Sequence, residues 1–219
     1  APIQTDFMPI HLDGLIAYAL FQEEMARFSS GETAQCPNPA DVNSPLYDAL
    51  PLARESGVYC ASVVVPVEQA GVSSRYFIRS SDAQSLALIG IDESEGREAL
   101  IRKQSNQRVI STSRGALKTC FITEQVVHAS LCVGYAVGDL ERVEYLLKRH
   151  IFALGKNRAK GFGSVSEIRV VEDSDASTVW QVRALPGRTE GYFPMVSPIR
   201  PPYWNKSLRQ IAYLPPDLF

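Results

Sequence analysis

LGKNRAKGFGSV, residues 154–165, is the stretch whose reading decides the fold. Before it, Asp139–Leu154 has helical periodicity, with Leu140, Val143, Leu146, Leu147, Ile151 and Leu154 on one face. Asp139 stands where a cap belongs. Glu141 and Glu144 lie near the positive end of the helix dipole, and Lys148, Arg149 and His150 near the negative end. Gly155 is the expected helix stop. After it, GSVSEIRVVE (163–172) is rich in β-branched residues and reads as a strand. The quoted stretch is therefore a short helix-to-strand connection. From Gly155 to Gly163 it holds three glycines and three cations, with no acid.

The remaining elements follow outward from this junction. DGLIAYALFQEEMARF (13–28) predicts a first helix, with Asp13 as N-cap and two apolar stripes that need cover from two sides. Residues 29–45 read as loop. VYCASVVVPV (58–67) predicts a strand ending near Pro66, and SRYFIR (74–79) its hairpin partner. KTCFITEQVV (118–127) and ASLCVGYAV (129–137) predict two more strands, and TVWQVRAL (178–185) another. Residues 80–118 are polar and charged, too long for a plain loop, and are expected to form an extended hairpin or inserted lobe. The order is that of an α+β ferredoxin-like sandwich, β-α-β-β-α-β, whose first strand would lie at or before residue 10. The expected organisation is one domain over 1–219, with 80–118 as the insert and 174–219 as a C-terminal β or extended segment.

Composition sets bounds. The chain has 219 residues, 45% of them hydrophobic, enough for a core. No apolar run approaches the roughly 20 residues of a membrane span. The start, APIQTDFMPIHLDG, has no basic region followed by an apolar one, so no secretory leader is expected. Cys36, Cys60, Cys120 and Cys132 are far apart, with no zinc spacing, and suit a reducing cytoplasm. Cys60, Cys120 and Cys132 lie in apolar runs, where a free thiol is usually a small buried hydrophobe. Net charge is −2, yet residues 155–163 carry +3 and residues 97–118 carry +5, which leaves −10 on the remainder. An acidic body with two basic segments is suited to local nucleic-acid contact.

The glycine-basic connection fails the known nucleotide fingerprints. It lacks the Gly-Lys-Ser/Thr end of a Walker loop, and its Gly161 and Gly163 lie on the wrong side of a helix for a dinucleotide loop. Taken together, though, its residues make a phosphate cradle. Lys156, Arg158 and Lys160 alternate and would point one way if extended, beside Asn157. Gly161 and Gly163 let backbone amides approach a ligand and bracket Phe162. The ligand that fits best is single-stranded RNA on a ferredoxin-like sheet. Arg102, Lys103, Arg108, Arg114 and Lys118 are the second group of candidate phosphate contacts.

PIHLDGLIAYAL (9–20) and GYAVGDLERVEYLLKRHIFALGKNRAKGFGSV (134–165) carry a likeness. The chain resembles the RAMP superfamily of CRISPR-associated proteins, through its glycine-rich loop. Within it, the chain resembles the type IV effector subunit of Cas-five type. The resemblance implies a guide-RNA-binding subunit of a multisubunit complex in the bacterial cytoplasm. It would cap the 5′ handle, contact the backbone subunits of the filament, and meet the large subunit near the PAM duplex of the target DNA. It also implies a thumb over the guide, for which 80–118 is placed, and a first strand that residues upstream of Ala1 would complete.

Catalysis is the competing expectation. A metal-independent endoribonuclease of this superfamily would use a histidine near the first helix, and His11 is that candidate. The competing role for His11 is a turn residue beside the Asp13 cap, and the expectation is no catalytic residue, no metal and no cofactor. His128 is placed on a hairpin and His150 at a helix C-terminus that favours a cation. Trp180 is expected in the core, and Tyr203 and Trp204 in PPYWN are expected to pack. A third possibility is an interaction subunit whose basic segments meet an acidic protein.

Overall fold

The computed structural model describes residues 3, 9–79, 120–156, 158 and 161–216. Two compact units result: Ala1–Ser73 with Val126–Phe219, and Ser74–Gln125.

In the first unit, α1 (Leu12–Ser29) and α3 (Leu140–His150) pack together. Ile16, Ala19 and Leu20 from α1 meet Val143, Leu146 and Leu147 from α3 in one core. Each leucine, isoleucine or valine side chain among them contributes about 1.5–3 kcal/mol when removed from water. Asp139 caps α3 as expected, its carboxylate accepting from Arg142 N–H at 3.0 Å. The pair Arg142–Glu23 joins the two helices at their rim. Helix α3 ends before Gly155, however. Ile151 turns to extended backbone (φ −105°, ψ 103°) while its N–H still reaches Leu147 O at 3.0 Å. Residues 152–154 then run extended toward the glycine-rich turn.

The main sheet has the order β1-β4-β5, with β1 Ile10–His11, β4 Val63–Arg79 and β5 Cys120–Val133. The register of β1 and β4 is antiparallel, Ile10 opposite Val64 and His11 opposite Val63. Ile3 bridges Val127. The expected hairpin of 58–67 with 74–79 is not formed. Val58–Tyr59 (β3) pairs instead with Arg54–Glu55 (β2), and 74–79 continues β4. Pro66 sits inside β4, not at its end. Among the described residues β1 pairs with β4 only as far as Val64, and a strand position with no ladder partner on that side tolerates a missing N–H. The two strands expected over 118–137 are one, β5. His128 lies within it, not on a hairpin, with Nε2 2.7 Å from Ser73 Oγ.

The rest of the unit is built from short pieces: α2 (Pro45–Asp48), α4 (Ala176–Val179), and a hairpin of β6 (Phe193–Pro198) with β7 (Arg209–Leu214). A second core gathers under this hairpin from Val58, Cys60, Trp180, Ala184, Leu185, Ile199, Ala212 and Leu214. Trp180 is thus in a core, as expected, but at the end of α4. The strand expected over 178–185 is absent, although Leu185 bridges Tyr213.

Residues 163–172 hold the most instructive difference. Only Ser164 bridges, to Ala153. Beyond it Ile168 and Val170 still turn inward onto the first core, while Glu167 and Arg169 pair with each other outside at 2.7 Å. The period of two is real, but no ladder accompanies it among the described residues. The architecture is therefore mixed, with antiparallel sheets and an α+β character. The order β-α-β-β-α is present, and the strand that would close a ferredoxin-like sandwich is not paired.

In the second unit, the rings of Tyr76 and Phe121 stack at 5.3 Å. The lobe expected over 80–118, with Arg102, Lys103, Arg108, Arg114 and Lys118, lies outside the described residues.

Candidate nucleic-acid interface

The glycine-rich connection is a closed turn. Phe152–Leu154 and Gly163–Val165 lie side by side. Leu154 N–H donates to Gly163 O at 2.8 Å, and Val165 N–H to Phe152 O at 2.9 Å. Gly163 has φ +65°, and a Cβ there would stand 1.8 Å from Leu154 O. No other residue fits this approach. Phe162 is buried, so its ring anchors the turn and is not presented to a ligand.

The cations are placed differently from the expected row. Arg158 sits in a helical turn whose carbonyl accepts from Gly161 N–H at 2.9 Å, so the segment is not extended there. The extended row that alternation requires is therefore not formed at Arg158, and the Gly161 amide is already engaged. Lys156 and Arg158 are both exposed. The Arg158 guanidinium lies 4.7 Å from the centre of the Tyr18 ring on α1, an arrangement that orients the cation without neutralising it. Among the described residues, no acid pairs with Arg158. Asn157 and Lys160 lie outside the described residues. Two participants escaped the sequence reading. Tyr18 belonged to an apolar stripe and gave no sign of meeting a residue 140 positions away. Phe152, 71% exposed at the entrance of the turn, was visible only as the residue after the buried Ile151.

A second constellation joins the start of α1 to Arg183 and Tyr203 far along the chain. Asp13 is not a cap. The N-cap position of α1 is His11, with no side-chain cap bond, and Asp13 lies fully buried in the first turn. Its carboxylate accepts from Arg183 Nη2 at 3.1 Å, Tyr203 Oη at 2.7 Å and Gly14 N–H at 2.9 Å. Arg183, also fully buried, donates further to the carbonyls of Tyr59 (2.6 Å), Ala61 (2.8 Å) and Ile199 (2.7 Å). Burial raises the Asp13 carboxyl, and Arg183, Tyr203 and Gly14 act against that rise. Tyr203 packs, as expected, whereas Trp204, expected to pack as well, is exposed. The Tyr203 hydroxyl is pushed well above its ordinary range by burial and by the Asp13 charge.

His11 belongs to this constellation. It is 6% exposed, and its ring stacks on Tyr203 at 3.8 Å with planes 8° apart. Burial, then Arg183, hold its pKa well below the ordinary 6.5. The unfolded chain therefore takes up a proton below about pH 6.5 that folded His11 refuses. Stability should be lost as pH falls through that value, by up to about 1.4 kcal/mol per pH unit for one proton. Denaturant midpoints measured between pH 8 and pH 5 check this, and His11→Phe, which keeps a ring on Tyr203, should flatten the slope. His150 does not become the favoured cation of its helix end, since burial lowers it too. Of the cysteines, Cys60 is buried, but Cys120 is exposed. Among the described residues, His, Cys, Asp and Glu form no cluster of three that could hold a metal, and no helix is long and apolar enough to cross a membrane.

Residues 1–215 match the family model of a CRISPR type IV associated protein. That family is Csf3, and the chain belongs to it. No curated protein matches the chain. Membership supports a role in the type IV CRISPR effector complex and implies partner subunits.

Proposed function

We propose that the chain is a non-catalytic guide-RNA-binding subunit of the type IV effector complex, and that its glycine-rich turn holds phosphates of the 5′ handle. The observation that carries this reading is the exposed Arg158 guanidinium held over the Tyr18 ring at the closed glycine turn. Gly163 closes the turn, Phe162 anchors it from inside, and Tyr18 orients the Arg158 guanidinium outward. Cations pre-positioned in this way bind a phosphate chain with little further ordering, and Phe152 beside them offers a face on which a base can stack. Lys160, Asn157 and the Arg102–Lys118 group extend the same reading along the guide. Contacts to backbone subunits, to the large subunit and to target DNA near the PAM duplex belong to the same proposal, as does a cytoplasmic location. The burial of His11 under Tyr203 favours a subunit that binds without cutting, because a general base must reach the 2′-hydroxyl it activates.

The triple variant Lys156→Ala, Arg158→Ala, Lys160→Ala tests the turn. For a single strand each lost phosphate contact lowers the salt slope of binding by about 0.7, so the triple variant should lose about 2 units. Handle-RNA affinity measured by anisotropy across a salt series gives the slope. An unchanged slope in a folded variant removes the turn from the interface.

A further inference from the structure

We infer that the β6–β7 connection carries a second nucleic-acid contact, in which a base of a single strand stacks on Trp204 while Lys206 and Arg209 hold the adjoining phosphates. The inference rests on the reading that the chain binds nucleic acid, but it concerns residues remote in sequence from the glycine-rich turn. Tyr203 is tied through its hydroxyl to Asp13 and Arg183, and its ring lies on His11. Gly14 makes room for that ring, since a Cβ there would meet it at 3.2 Å. Pro201 and Pro202, just before it, are buried. On the other side Asn205 N–H donates to Pro202 O at 3.0 Å, and the Asn205 side chain accepts from Ser207 N–H at 2.9 Å. The backbone on both sides of Trp204 is therefore fixed, and its indole is 63% exposed. A large apolar ring held rigidly in water is pre-organised for a flat partner.

Charge decides what that partner is. From Gly191 to Pro216 the sequence has Arg200, Lys206 and Arg209 and no acid, in a chain of net charge −2. Among the described residues no acid pairs with any of the three. Lys206 begins the turn two residues after Trp204, within about 7 Å of backbone reach. Arg209, exposed, opens β7 opposite Pro198. Aromatic faces interleaved with unpaired cations are the pattern of single-strand binding.

Single-stranded oligouridine and oligothymidine of about 12 nucleotides are the probes, and separate RNA from DNA as the source of the strand. Trp180 is buried, so a ligand-dependent change in indole emission reports Trp204. Binding should quench that emission. Trp204→Ala should weaken binding about tenfold, Trp204→Phe should restore most of it, and Lys206→Ala with Arg209→Ala should lower the salt slope by about 1.4. The quench should persist in the Lys156, Arg158, Lys160 triple variant. A triple variant that loses affinity while Trp204→Ala binds both probes like the parent leaves the glycine-rich turn in place and overturns this site. Absence of quenching by either oligonucleotide also overturns it. So does quenching by partner subunits alone, which would make the connection a protein interface.

Discussion

Arg183→Ala is expected to lower the unfolding free energy by about 3–5 kcal/mol, the range for removing one partner of a buried charge pair. The reason lies in what is left behind. Arg183 is fully enclosed and serves Asp13, Tyr203 and the carbonyls of Tyr59, Ala61 and Ile199. Without it, Asp13 keeps only Tyr203 and Gly14 as donors around a buried carboxylate, and three buried carbonyls lose a guanidinium. Asp13→Asn, which removes the charge but keeps an acceptor, should cost less. The two changes together should cost less than their sum, since the second then deletes a charge that no longer has a partner. Urea unfolding of the single and double variants measures this cycle. Strict additivity would show that the pair is not coupled. Because Tyr203 is held by both Asp13 and Arg183, Arg183→Ala should also loosen Trp204, seen as altered indole emission in the folded variant.

Gly163→Ala should be the next most damaging change. The added carbon would lie 1.8 Å from Leu154 O, and φ is +65°. Relief requires opening the Leu154–Gly163 hydrogen bond as well as bearing left-handed strain, together about 2–4 kcal/mol. Gly161→Ala is the internal comparison. Its φ is +86°, but a Cβ there meets nothing within 4 Å, so only the strain of about 1–2 kcal/mol applies. Unfolding curves of the two variants separate close approach from backbone conformation, and equal losses would refute the role given to the Leu154 contact. Since the turn is what presents Lys156 and Arg158, Gly163→Ala should also weaken handle-RNA binding more than Gly161→Ala does.

The parts of the molecule that were legible in the sequence are those set by short-range periodicity. The stripe from Val143 to Ile151 fixed a helix and its buried face, and Asp139 its start. Leu12, Ile16 and Ala19 did the same for the first helix. The run of glycines and cations marked a short connection, but not its closure. Even where the ladder failed, at 165–172, alternation sent Ile168 and Val170 inward.

Strand partnership was not legible. The run 58–67 holds enough β-branched residues for one strand, yet it splits between β3 and β4 because separate partners, Arg54–Glu55 and Ile10–His11, lie beside its two ends. The extended backbone of Ile151, likewise, belongs to a segment that pairs with 163–165, and that pairing overrides the helical stripe through Leu154. Asp13 shows the same limit at the level of one side chain. Next to a helix start it reads as a cap, because capping is a local bond. Its actual partners, Arg183 and Tyr203, are 170 and 190 residues away. Sequence alone determined which faces are apolar and where the cations collect, since both depend on neighbours along the chain. Tertiary structure alone decided which strands pair, which charge is buried with which, and that Trp204 stands exposed beside a half-buried Tyr203, because these depend on groups that only the folded chain brings within bonding distance.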